Sequence, residues 1–135
     1  MKLKEIMTTC VIDAPSKSVH LCESPGGFVQ ATGDVAPCNW RWCALSLNTE
    51  GSPIPLYDLL PMDKGEFIDG DIMNFDFCKD SLEQGQAQLV TADGAHNVRH
   101  SSLESDHLPL LLAQTRVALY ALAPHGTFVI KFFEL

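Results

Sequence analysis

No apolar run in this 135-residue sequence reaches the ~18 residues of a membrane span, and the opening MKLKEIMTTC lacks the apolar core of a secretory signal. A soluble, intracellular protein of the nucleus or cytoplasm, without a membrane partner, is expected. Basic residues are scarce: nine Lys and Arg face 17 Asp and Glu, for a formal charge of −8. That balance opposes a nucleic-acid partner, whose phosphates favour a basic surface, unless a local basic cleft lies within it. The cysteines at 10, 22, 38, 43 and 78 follow no C-x-x-C framework, and their odd number suits reduced structural thiols better than disulfides. A metal site is not expected: His96 and His100 have helical i, i+4 spacing, but no Glu or Cys completes a ligand set. G-x-S-x-G and P-loop motifs are missing too, and Cys22 stands where a G-x-G-x-x-G fingerprint would begin. Serine hydrolases, P-loop NTPases and ordinary nicotinamide dehydrogenases are thereby disfavoured.

What is present fits one compact domain, since the chain is 46% hydrophobic and near the commonest domain size. Strand and helix signals alternate along it. Residues 18–22 form a short strand candidate, followed by Pro25-Gly26-Gly27 and a brief helix to about Ala31. WRWCALSL (40–47) reads as a second buried strand, with Trp40 and Trp42 on one face as core residues. The Pro- and Gly-rich stretch 48–65 reads as an irregular connection. A weaker strand is predicted at 67–73, a helix at 75–84 and a clear strand at 87–94. A last helix carries the stripe Leu108, Leu111, Leu112, Thr115, Ala118, Leu119 and Leu122, predicted to pack on a sheet and to stop at APHG (123–126). The final strand, TFVIKFF (127–133), is continuously apolar except for Lys131, which must be paired, lifted to the strand end, or functional.

This β-α-β-α order implies a parallel sheet with helices on both faces, whose ligands sit beyond the carboxyl ends of the strands at a switch point. The polar residues fall where that rule wants them. The Gly elbow follows the first strand, Asn48 the second, Asp71 the third and Asp93 the fourth, while Lys131 sits late in the fifth. A Gly pair between strand and helix also lets a ligand approach the backbone closely, and free N–H groups at a helix start suit an anionic oxygen.

Taken together, LCESPGGF, VTADGAHN and GTFVIKFFEL resemble the FtsJ-like (RrmJ) ribose 2′-O-methyltransferases, and more narrowly the eukaryotic-type mRNA cap methyltransferases of the cap-2, Adrift-like type. WRWCALSLN and GDIM are similar to that type's second strand and to the acidic turn after its third. The resemblance covers residues 1–135 and implies an α/β fold, a Rossmann-like S-adenosylmethionine-dependent methyltransferase sheet, truncated after the fifth strand. It implies that Cys22, Glu23, Ser24, Pro25, Gly26, Gly27 and Phe28 hold S-adenosyl-L-methionine, with the cofactor carboxylate facing the helix start. Asp71 would lie beside the adenine, and either Asn48 or Asp58 would take the ribose. Of the family's catalytic Lys, Asp, Lys and Glu, the first three correspond to Lys2, Asp93 and Lys131, with Asp93 also at the cofactor. His20 departs from the family's frequent Asp, and the fourth catalytic residue has no counterpart.

The chemistry fits these residue types. In-line methyl transfer needs a positioned oxygen nucleophile, and a ribose hydroxyl needs its proton removed. The implied substrate is capped RNA. The alternative is an inactive or truncated methyltransferase-like binding module. A truncated sheet would leave the fifth strand as an edge, through which copies of the chain would associate.

Overall fold

The computed structural model describes residues 2–9, 13–23, 26–47, 57–94 and 104–131. Their elements run α1 (Lys2–Thr9), β1 (Lys17–Leu21), α2 (Gly27–Gly33), β2 (Arg41–Ser46), a 3-10 turn (Tyr57–Leu59), β3 (Gly65–Asp69), α3 (Phe75–Ser81), β4 (Ala87–Ala92), α4 (Glu104–Ala121) and β5 (Leu122–Ile130). The five strands are all parallel, in the order β3-β2-β1-β4-β5. Strand alternation sorts their side chains onto two faces. Val19, Leu21, Val90 and Ala92 join Val117, Ala118 and Ala121 of α4 in one core cluster. On the other face Leu89 packs with Leu3 and Met7 of α1 and Ala31 of α2, while Val29, Trp40, Trp42 and Ala44 form a third cluster. Both tryptophans are core residues, as their strand pattern predicts.

A chain of polar groups is buried among these apolar ones. Trp40 Nε1 donates to Ser18 Oγ (2.8 Å), Ser18 Oγ meets His20 Nε2 (2.8 Å), and His20 Nδ1 meets Thr91 Oγ1 (2.8 Å). Each group is satisfied by the next, which removes most of the cost of burying it. Burial also pushes the His20 pKa down to about 3, so the ring is neutral.

Besides β3, which runs Gly65–Asp69 where 67–73 is expected, three features differ from the sequence reading. The first is α1, which was not predicted from MKLKEIMTTC; Leu3 and Met7, four apart, give it one buried edge. The second is the orientation of α4. Leu108, Leu112 and Leu119 are 49%, 58% and 70% exposed, whereas Gln114, Val117, Ala118 and Ala121 face the sheet. The small residues Ala118 and Ala121 bring the helix axis close to the strands, and close approach outweighs the number of leucines. Third, APHG does not precede β5 but lies inside it. Ala87 pairs with Leu122 and Leu89 with Thr127, so the intervening residues bulge out, with His125 in the left-handed region at φ 66.

Candidate functional site

The chain passes from β1 to β2 on one side, and later crosses from β3 to β4 on the other side of β1. The crevice between the carboxyl ends of β1 and β4 is therefore the switch point. Ladder hydrogen bonds continue one residue past the strands: Cys22 N–H to Leu45 O (2.7 Å), Gly70 N–H to Ser46 O (3.0 Å), Asp93 N–H to Leu21 O (3.2 Å) and Lys131 N–H to Ala92 O (2.9 Å). These bonds set Cys22, Asp93, Lys131 and the Gly70-Asp71 turn along one edge of the sheet.

At the elbow, Gly26 has φ 122, a conformation that L side chains rarely adopt. A Cβ there would come within 2.7 Å of Leu60 Cδ1, so on that side the bare backbone admits a neighbouring leucine. Glu23 is buried, and its Oε1 accepts from Val29 N–H at 2.7 Å, with Phe28 N–H also bonded to the carboxyl. These first-turn donors of α2, the ones an incoming carboxylate was expected to use, already have an internal acceptor. Burial raises the Glu23 pKa to about 8, against the lowering effect of its two backbone hydrogen bonds. Cys22 adopts the left-handed region at φ 57. Its thiol is pushed up to about 12 by burial and then by nearby Asp93, Cys78, Asp71 and Glu23, which keeps it protonated and inert. Phe28 is half-buried and packs with Leu3, Met7, Ala31 and Leu89.

The remaining expected residues are more scattered. Asp71 is exposed, and its Oδ1 accepts from Met73 N–H (2.9 Å). Beside it opens a hollow of about 520 Å³ lined by Asp71, Met73, Asn74, Phe75, Asp76 and Arg116. The Arg116 guanidinium lies 3.8 Å from the Phe75 ring centroid and closes one side. Asp58 is exposed in the 3-10 turn, two residues before the Leu60 that touches the elbow. Lys2 opens α1, but its side chain lies outside the described residues, as do Ser24, Pro25, Asn48, His96 and His100.

Asp93 and Lys131 do meet. Lys131 Nζ is 3.3 Å from Asp93 Oδ1, with the lysine half exposed and the aspartate more enclosed. Of the readings open to Lys131, two hold together: it stands just past the end of β5 and it is paired. One supporting residue escaped the sequence reading. Gln114 of α4 is 2% exposed, and its Oε1 accepts from Gly94 N–H at 2.9 Å. Its only sequence signal is an uncharged polar residue amid LLLAQ, which helical periodicity alone treats as surface. A second groove, of about 490 Å³, lies at the amino ends of the strands near Lys17, Arg41 and Lys64, opposite this edge. Among the described residues no group of three or more His, Cys, Asp or Glu is arranged to hold a metal.

Sheet order and crevice together define a Rossmann-like methyltransferase fold. Aeropyrum pernix fibrillarin, solved with bound S-adenosyl-L-methionine, shares it at a TM-score of 0.61 and 16% identity, over 96% of this chain and 52% of that one. An arsenic(III) S-adenosylmethionine methyltransferase from Chlamydomonas reinhardtii is similar at a TM-score of 0.57 and 15% identity, over 88% of this chain and 38% of its own. The FtsJ-like methyltransferase family model matches residues 1–134, and the chain belongs to that family. Among curated relatives, cap-specific mRNA (nucleoside-2′-O-)-methyltransferase 2 of Mus musculus is 30% identical and that of Danio rerio 32%, each over 87% of this chain. The chain spans only 18% and 19% of the length of those two relatives.

Proposed function

We propose that the chain is the S-adenosylmethionine-dependent core of a methyltransferase acting on a ribose 2′-OH in the cap region of mRNA. The observation that carries this reading is the Asp93–Lys131 pair at 3.3 Å, set at the switch point of a chain in the FtsJ-like family. The residues present fit the cofactor. The elbow at Gly26 and Gly27 is the candidate for backbone approach on the side away from Leu60, Glu23 and not the cofactor carboxylate takes the first N–H groups of α2, Phe28 packs beneath, and the hollow at Asp71 offers room beside an acceptor carboxylate. Cys22 contributes its backbone turn, Asp58 and Asn48 are the ribose candidates, and Ser24 and Pro25 complete the loop. When bound, the cofactor supplies a methyl group on a sulfonium sulfur, susceptible to in-line attack.

The protein's own part is positioning and proton removal. Asp93 fixes the direction of the Lys131 amine, which is exposed enough to reach a hydroxyl; in its neutral form that amine accepts the hydroxyl proton. Lys2 is the remaining family lysine assigned to this set. Capped RNA is accordingly the proposed substrate, and mRNA processing in the nucleus or cytoplasm the proposed setting. Self-association belongs to the same reading, because among the described residues β5 pairs on one side only and the exposed leucines of α4 lie on the helix between β4 and β5.

Calorimetric titration with S-adenosylhomocysteine tests the cofactor site without needing an intact acceptor site. Asp71→Ala is expected to weaken binding by about 1.5 to 3 kcal/mol, the usual worth of a hydrogen bond to a charged acceptor. Equal affinity of mutant and wild type moves the adenine elsewhere. A methyl-transfer assay on a capped oligonucleotide then asks whether this chain alone turns over.

A further inference from the structure

We propose that Gln114 is a positioning residue for Asp93. Asp93 directly follows β4, and its own N–H is tied to Leu21 O of β1 at 3.2 Å. That bond fixes only the start of the residue. The next peptide is held from the opposite side, where Gly94 N–H donates to Gln114 Oε1 at 2.9 Å. Gln114 is itself anchored, since its Nε2 donates to Leu110 O at 3.2 Å one turn back along α4. With the backbone clamped on both sides, Asp93 has little freedom in ψ, and its carboxylate is aimed at Lys131.

The local sequence is built around this contact. A Cβ on residue 94 would lie 2.7 Å from Gln114 Oε1 and 2.8 Å from its Cδ, so a side chain there would push the amide out of its present position. The glycine of the Asp-Gly pair thus suits a close approach to α4, beyond any preference for a turn. A buried amide on a helix face otherwise occupied by Val117, Ala118 and Ala121 costs desolvation unless it makes its hydrogen bonds, and Gln114 makes two. An apolar residue would pack there as well; what it lacks is the acceptor for Gly94.

The inference rests on Asp93 and Lys131 being the working pair, yet its test needs neither cofactor nor RNA. Amide hydrogen exchange reads the Gly94 bond, and trace acetylation with mass spectrometry reads how strongly each lysine amine is engaged. In Gln114→Met, Gly94 is expected to exchange at least tenfold faster, and Lys131 to acetylate about twofold faster, approaching its rate in Asp93→Asn. Lys17, paired with Glu83 at 2.6 Å, serves as the internal reference and is expected to stay unchanged. Gln114→Glu keeps an acceptor oxygen and should restore both readings. Gln114→Asn, one methylene shorter but still polar, should reproduce the Met result and covers the case in which Met does not fold. Unchanged Gly94 exchange overturns the proposal. So does faster Gly94 exchange with Lys131 unaltered, which leaves Gln114 a purely structural cap. If Asp93→Asn itself leaves Lys131 acetylation unchanged, the pair does not exist in solution and the functional reading fails first.

Discussion

Two buried titratable residues make stability depend on pH in opposite directions. His20 has a native pKa of about 3 against 6.5 unfolded, so between those values the unfolded chain holds a proton that the native chain lacks. Stability therefore falls as pH drops from 6.5 toward 3. Glu23 behaves oppositely: its native pKa of about 8 lies above the ordinary 4.5, the native chain holds the extra proton, and stability falls as pH rises from 4.5 to 8. Between 4.5 and 6.5 the two proton counts cancel. Denaturant unfolding across pH is expected to give a plateau there, with flanks of up to about 1.4 kcal/mol per pH unit. Glu23→Gln keeps the acceptor for Val29 N–H and should abolish the alkaline decline; with the cancellation gone, the His20 slope then extends through the former plateau, so that stability rises up to pH 6.5 and is level above it. A persisting decline above pH 6.5 in that variant would assign the effect to another group. At this scale the sequence singled out two residues that the fold places side by side, Asp93 and Lys131. It was opaque where the role depends on a neighbour, as with Leu60 filling the space at Gly26.

Among the elements, three strands and the existence of the last helix were readable, whereas β3 and β5 lie two to five residues earlier than expected and the sheet-facing side of the helix was only partly read. β1, β2 and β4 fall within a residue or two of their apolar patterns, because a strand buried on both faces needs little more than continuous hydrophobicity. For α4 the leucine stripe pointed the wrong way. Periodicity finds a face, but it does not say which of two apolar faces meets the sheet, and Ala118 and Ala121 decide that through close approach. The consequence is measurable. Leu112→Gln and Leu119→Gln should change stability by no more than about 0.5 kcal/mol, as exposed substitutions do. Both should reduce association in sedimentation by breaking an exposed apolar stripe. Ala118→Leu, at a fully buried position, should cost about 1 to 3 kcal/mol by overpacking. A large loss at Leu119 with little at Ala118 would mean that the helix is rotated relative to this description.

For the molecule as a whole, Lys17, Arg41 and Lys64 gather, among the described residues, at the amino ends of the strands, whereas Glu23, Asp71 and Asp93 line the opposite edge, with Lys131 and Arg116 among them. This chain should therefore bind a capped oligonucleotide with a shallow salt dependence, a log–log slope of about −1 to −2, as one to three phosphate contacts would give. Filter binding from low to moderate salt checks it, and a steep slope would show that basic side chains beyond Lys131 reach the RNA. The polar chain from Trp40 through Ser18 and His20 to Thr91 has a different kind of consequence. His20 sits opposite Thr91 in the β1–β4 register, and Ser18 opposite Leu89. If β1 slipped by one residue against its neighbours, Ser18 and His20 would turn into the apolar face beneath α4, leaving Thr91 and the Trp40 indole without partners. Each stranded group costs about 1 to 3 kcal/mol, so a misaligned sheet is heavily penalised even where its hydrophobic contacts are nearly as good. The histidine in the middle of the core thus acts as a proofreader of assembly, rejecting the near-miss folds that a run of valines and leucines would accept.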